Sequence, residues 1–170
     1  MPMRKMVLSI LVENTFGVLS RVAGLFSRRG YNIDSLTVGA TEHTEYSRMT
    51  VVATGDEQIL DQIKKQLAKL EDVKEIKELV PNRSVCRELI LVKVAVTPAE
   101  RQSVISIADI FRAKIVDVAP DSLMVELTGN EAKLAAFIQL LEGYTIKEIA
   151  RTGITGLSRG AGDLGEYIDD

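Results

Sequence analysis

The sequence contains few of the residues that usually carry out chemistry. Its 170 residues include one cysteine, Cys86, one histidine, His43, and no tryptophan. A single cysteine excludes an intrachain disulfide and suits a reducing compartment. Neither residue belongs to a set with the spacing of a zinc motif. Because His43 lies in a polar loop between Glu42 and Glu45, we interpret it as a solvated turn residue. The sequence therefore predicts no catalytic residue and no metal site.

Excess positive charge and long apolar runs are also missing. The chain has 21 Lys and Arg residues against 24 Asp and Glu, a net charge of −3, whereas phosphate binding needs concentrated positive charge. The apolar run near the N-terminus, MVLSILV, is far shorter than the ~18 residues of a membrane span. It also has no small-x-small cleavage pattern after it. We expect a cytoplasmic protein with neither a nucleic acid nor a membrane as partner.

What the sequence does have is one hydrophobic pattern that occurs twice. Each half follows the order strand, helix, strand, strand, helix, strand. This order predicts an α+β fold of two tandem βαββαβ (ferredoxin-like) units, each an antiparallel sheet with helices on one face. We predict a first domain at residues 1–80, a linker at 81–85 and a second domain at 86–152. Residues 153–170 are predicted to be a glycine-rich tail.

Two nucleotide-binding interpretations are considered and set aside. The tail has a G-x-G-x-x-G pattern at Gly160, Gly162 and Gly165, but the dinucleotide motif needs a helix after the glycines, and too few residues follow. RNA-recognition modules share the βαββαβ order and stack bases on aromatic side chains of the central strands. The corresponding segments here, MVLSILVE and SRMTVVAT, contain no aromatic residue.

The stretch VENTFGVLSRV, residues 12–22, lies at the start of the first predicted helix. Unpaired N–H groups and a partial positive charge make a helix N-terminus a receptor for an anion. Gly17 allows close approach to the backbone, Asn14 offers a donor and an acceptor, and Asn32 is expected to reach the same end of the sheet. A small molecule with a carboxylate and an aliphatic side chain would fit. The alternative is that Asn14 only caps the helix and Gly17 only permits a turn.

Longer motifs favour the ligand site. The segment LVENTFGVLSRVAGLFSRRGYNIDSLTVG resembles the N-terminal ACT domain of the small, regulatory subunit of acetolactate synthase (acetohydroxyacid synthase). The likeness continues through SRMTVVATGDEQILDQIKKQLAKLEDV, RELILVKV, IFRAKIVDV and ARTGITGLSRG. It covers almost the full length, and only the final AGDLGEYIDD is outside it.

The resemblance implies a function without catalysis by this chain. Small subunits of that family bind a large catalytic subunit, which condenses two pyruvates, or pyruvate and 2-oxobutanoate, with thiamine diphosphate, Mg²⁺ and usually FAD. Association raises activity, and a branched-chain amino acid, typically valine, lowers it by binding between the ACT domains of two chains. The effector positions that match are Asn14, Gly17, Val18, Leu19, Asn32 and Ile33.

Two further expectations follow. The first strand is apolar on both faces, which invites pairing with a second copy, so we predict a homodimer through the N-terminal units. The other function class that stays open is a free-standing ACT-type amino-acid sensor that acts on a different partner. Valine has one methylene fewer than leucine and isoleucine, which are isomers of each other, so the sequence does not select one effector among them.

Overall fold

The computed structural model describes residues 2–161, and the chain divides into two compact units. The first unit consists of the residues up to Cys86 together with those from Ile154 onward, and the second unit runs from Arg87 to Gly153. Each unit has its own hydrophobic core.

The first unit contains four strands and two helices in the predicted order. They are β1 (Arg4–Glu13), α1 (Val18–Arg29), β2 (Ile33–Ala40), β3 (Tyr46–Gly55), α2 (Glu57–Ala68) and β4 (Val73–Glu78). The sheet order is β2-β3-β1-β4, and all neighbouring strands are antiparallel. β2 and β4 are therefore the two edge strands.

Strand β1 is buried on both faces, as its sequence predicted. Successive side chains of a strand point to opposite faces, and every second residue contributes to the core under the helices: Met6, Leu8, Ile10 and Val12. On the opposite face, Ser9 and Leu11 are also buried. Burial of each such aliphatic side chain contributes about 1.5–3 kcal/mol, so both faces of this central strand stabilise the unit.

The second unit repeats the topology. Its elements are β5 (Ser84–Ala95), α3 (Pro98–Ile110), β6 (Lys114–Ala119), β7 (Ser122–Gly129), α4 (Glu131–Leu140) and β8 (Thr145–Arg151). The strand order is β6-β7-β5-β8, again antiparallel. The rings of Phe111 and Phe137 meet edge to face in its core, with centroids 5.4 Å apart. The prediction of two tandem βαββαβ units is confirmed.

The ends of the second unit differ from the predicted division. β5 begins at Ser84, inside the predicted linker, and crosses from the first unit to the second at Cys86. In the predicted glycine-rich tail, residues 155–158 form a further strand, β9 (Thr155–Ser158), which pairs with β5. The glycine-rich composition of this segment predicted a tail. β9 forms by pairing with β5, which is distant in the chain, and such a pairing leaves no pattern in the local sequence. Gly162 and Gly165 of the glycine motif lie outside the described residues.

Candidate functional site

The first turn of α1 has backbone donors and no side chain that caps them. Gly17 is the N-cap residue, with φ 84° and ψ 0°, a left-handed conformation that favours glycine. The first intrahelical hydrogen bond runs from Arg21 N–H to Gly17 O at 3.0 Å. No acidic residue lies in the first turn. The N–H groups of residues 18–20 therefore point out of the helix with the partial positive charge of its N-terminus.

The other three helices of the described chain are capped by side chains. Each cap accepts a hydrogen bond from the backbone N–H three residues later, and the capping residues are Asp56 for α2, Thr97 for α3 and Asn130 for α4. Each of these helices also has an acidic residue in its first turn. Within residues 2–161, only α1 presents an N-terminus that is free to receive an anion from outside the chain.

Asn14 does not cap α1, so the interpretation of this residue as a helix cap is wrong. Its backbone N–H donates to Glu45 O at 2.8 Å, and its side-chain Nδ2 donates to Thr44 O at 3.1 Å. Asn14 therefore ties the end of β1 to the hairpin between β2 and β3. This attachment fixes the position of the chain three residues before Gly17.

An ion pair between Arg21 and Asp72 lies beside the turn at Gly17. Arg21 Nε lies 2.5 Å from Asp72 Oδ2, and Arg21 Nη2 donates to Phe16 O at 3.4 Å. The hydrogen bond from Arg21 lowers the pKa of the Asp72 carboxyl below its ordinary value. A Cβ added at Gly17 would lie 3.0 Å from Arg21 Nη1. Because no local pattern links Arg21 to Asp72, the sequence did not indicate this ion pair.

Two of the predicted apolar contacts differ in exposure. Val18 is buried in the core of its own unit, whereas the Leu19 side chain is 49% exposed beside the uncapped turn. Phe16, one residue before Gly17, is fully exposed. Leu19 and Phe16 are therefore the apolar side chains that a ligand or a second chain can contact at this end of α1.

Asn32 and Ile33 lie at the opposite end of the same sheet, so the expectation that Asn32 reaches Asn14 within one chain is wrong. Ile33 pairs with Ala53, which pairs with Met6 near the start of β1, whereas Asn14 follows the far end of that strand. The separation along β1 is roughly 23 Å at ~3.3 Å per residue. Strand direction decides this point: β1 and β2 both run antiparallel to β3, so they run parallel to each other and both start at the same end of the sheet. Asn32 Nδ2 instead donates to Asp34 Oδ1 at 3.0 Å.

Family comparisons cover both units. Residues 8–75 match the model of the AHAS small subunit-like ACT domain, and residues 87–160 match that of the small subunit of acetolactate synthase. A probable acetolactate synthase small subunit of Methanothermobacter thermautotrophicus is 52% identical, over 91% of this chain and 93% of the relative. The acetolactate synthase isozyme 3 small subunit of Salmonella typhimurium is 49% identical, over 91% and 95%.

The chain belongs to the acetolactate synthase small-subunit family. A crystal structure agrees with this assignment: the acetolactate synthase small subunit from Thermotoga maritima matches with a TM-score of 0.85 and 40% identity. The match covers 93% of this chain and 99% of the other. The resemblance noted in the sequence and the ACT fold of the first unit are thereby confirmed.

In this member of the family, the other candidate residues for metal or acid–base chemistry do not come together. No three His, Cys, Asp or Glu side chains come together as a metal site in residues 2–161. His43 is exposed in the β2–β3 hairpin, where its backbone carbonyl accepts from Tyr46 N–H at 3.1 Å. In the described part of the chain, every helix is too short or too polar to cross a bilayer.

Proposed function

We propose that this chain is the non-catalytic regulatory subunit of a cytoplasmic acetolactate synthase, a transferase complex of branched-chain amino-acid biosynthesis. It binds the catalytic large subunit, raises its activity, and lets a branched-chain amino acid such as valine inhibit it. Thiamine diphosphate, Mg²⁺ and FAD belong to the large subunit. Membership of the small-subunit family supports this function over a free-standing ACT-type sensor, because relatives that match along nearly the whole chain are named as subunits of the synthase.

The uncapped start of α1 is the observation that carries the effector proposal. An amino acid brings a carboxylate, and the N–H groups after Gly17 offer it donors with favourable charge. Asn14 lies beside this turn and supplies a polar side chain. Leu19, half exposed on the same turn, supplies apolar contact for an aliphatic side chain.

A second chain brings Asn32 and Ile33 to this effector. Among residues 2–161, no strand pairs with the outer edge of β2, so a β2 strand of another copy can extend the sheet there. Antiparallel pairing of two β2 strands about a two-fold axis places the Ile33 end of one strand beside the Ala40 end of the other. The Ala40 end is the end of the sheet that carries Asn14. The homodimer therefore completes an effector site from the two groups of residues that one chain keeps apart.

Isothermal calorimetry with valine, leucine and isoleucine tests the effector site. We expect all three to bind, with valine differing in affinity from leucine and isoleucine by roughly 10- to 200-fold, because a single methylene is worth about 1–3 kcal/mol. Asn14→Ala should weaken binding of each, while the exposed Ser103→Ala in α3 serves as the control. Absence of heat with all three amino acids would exclude a branched-chain effector.

Reconstitution with the large subunit tests the partner. The purified chain alone should form no acetolactate from pyruvate, and adding it to the large subunit should raise the rate of acetolactate formation. If the two proteins fail to co-purify and the rate does not change, the chain acts on another partner, as the free-standing sensor would.

A further inference from the structure

The chain returns to the first unit after it has completed the second. Ile154 N–H donates to Ser35 Oγ at 3.4 Å, and Thr37 Oγ1 donates to Ile154 O at 3.5 Å. Ser158, four residues after Ile154, accepts a hydrogen bond at its Oγ from Lys77 Nζ at 3.4 Å. We call residues 154–159 the strap. It contacts both edge strands of the first sheet, β2 through Ser35 and Thr37 and β4 through Lys77.

Register shows which face of the sheet the strap crosses. Thr37 pairs with Thr50, Thr50 with Ser9, and Ser9 with Lys77, so these side chains form one row across four strands. Ser9 points away from the helices, and the whole row does the same. Three strand spacings of ~4.8 Å give roughly 14 Å, and the four steps from Ile154 to Ser158 span roughly 13 Å when extended. The strap therefore has the length needed to run from edge to edge across this face.

Gly156 fixes the strap by close approach to the start of β5. A Cβ at this position would lie 2.6 Å from Val85 O and 2.7 Å from Cys86 Sγ. The backbone oxygen cannot move aside as a flexible side chain would, so even alanine forces the strap away from β5. Three residues after Gly156, Arg159 N–H donates to Arg83 O at 2.8 Å and also holds the strap beside this segment.

We propose that the strap is a coupling element that holds the two edge strands of the first sheet together and makes the effector response depend on residues beyond the second unit. Ser35, which the strap contacts, lies two residues after Ile33 on the same strand. An effector that orders the start of β2 therefore acts on the strand to which the strap is bound. The expected effect on inhibition rests on the proposed effector function. The contact of the strap with the sheet does not, and it is tested without any effector.

Gly156→Ala in the full chain is the direct test, with Gly143→Ala as the matched control because a Cβ at Gly143 meets nothing within 4 Å. Amide hydrogen exchange is measured by mass spectrometry without effector or partner. We expect faster exchange in peptides from β2, β4 and the strap of Gly156→Ala, and wild-type exchange in Gly143→Ala. Unchanged exchange in those peptides, or an equal rise in peptides from α3 and α4, would overturn the proposal.

Inhibition of the reconstituted complex is the second readout. For Gly156→Ala, the effector concentration at half-inhibition should rise by roughly two- to thirtyfold, the range expected for loss of coupling between sites. Wild-type sensitivity in a variant with faster strap exchange would contradict the coupling role. If the wild-type complex responds to no amino acid, the proposed function fails, and hydrogen exchange still decides whether the strap holds the sheet.

Ser35→Ala keeps the test decisive if Gly156→Ala does not fold. It removes the acceptor of Ile154 N–H and introduces no steric conflict. Exchange should quicken in the strap and β2 peptides, by less than for Gly156→Ala, while the Ser103→Ala control in the second unit should exchange like the wild type. Wild-type exchange throughout Ser35→Ala would show that the contact with β2 does not hold the strap.

Discussion

The two units share one topology but begin their first helices differently. α1 follows a left-handed Gly17 with no capping side chain, whereas α3 follows Thr97, with proline at its first position and Glu100 three residues after the cap. In α3, Thr97 Oγ1 accepts from Glu100 N–H at 3.2 Å, and Glu100 Oε1 accepts from Thr97 N–H at 2.9 Å. The same fold therefore has one helix start whose N–H groups are capped by side chains and one, in α1, that has no side-chain cap.

The largest effect is expected when the first turn of α1 receives a carboxylate like the one in the first turn of α3. Ser20 occupies in α1 the position that Glu100 occupies in α3, and it is exposed. Ser20→Glu should weaken effector binding by about fivefold to several hundredfold, because like charges ~4 Å apart repel by about 1 kcal/mol in water and about 4 kcal/mol at an effective dielectric of 20. Calorimetry measures the loss.

Ser20→Gln is the control for this exchange, since it has the same shape without the charge and should bind nearly as the wild type does. Stability of Ser20→Glu should be unchanged or higher by about 0.3–1 kcal/mol, because a negative charge is favourable in a first turn. Equal binding by the Glu and Gln variants would show that no anion is held at this turn.

A side chain at Gly17 should cost stability. The left-handed conformation is about 1–2 kcal/mol less favourable for a residue with a Cβ, so Gly17→Ala should lower the free energy of unfolding by at least that amount in urea titrations. Gly30→Ala separates the causes, because Gly30 also has positive φ but an added Cβ there meets nothing within 4 Å. A larger loss for Gly17→Ala reports the contact with Arg21, and no loss at either position would contradict the left-handed geometry.

Removing the cap of α3 should affect only stability. Thr97→Ala takes away the acceptor for Glu100 N–H and should lower the free energy of unfolding by about 1 kcal/mol. Calorimetric binding of the effector should match that of the wild type. Weaker binding by this variant would mean that the second unit shares in the site.

The smallest expected effect concerns the ion pair beside Gly17. The folded-state pKa of Asp72 is lowered by Arg21, so this contribution to stability is present above the unfolded pKa of ~3.9 and is lost as pH falls through the folded value. Asp72→Asn should therefore narrow the stability difference between pH 7 and pH 2.5, as measured by urea midpoints. Because both partners are solvent-accessible, the change should be small, and identical pH curves would show that the pair adds nothing.

Local chemistry predicted the parts of this structure that local sequence controls. The burial of both faces of β1 was predicted and is present, and the left-handed Gly30 at the end of α1 and the Thr97 capping box are likewise formed by residues close together in the chain. Pairings between distant segments were not. Asn14 binds the β2–β3 hairpin, a contact between distant segments. Asn32 lies at the other end of the sheet because β1 and β2, which are joined through α1, run in the same direction.

The strap also has a consequence for the order in which the protein is made. The bond between Ser35 and Ile154 joins residues 119 positions apart. At ~5–20 residues per second, a ribosome needs roughly 6–24 s to pass from one to the other. The first unit is therefore the first to emerge and the last to be finished. During that interval β2 lacks the contacts that Ser35 and Thr37 make with the strap.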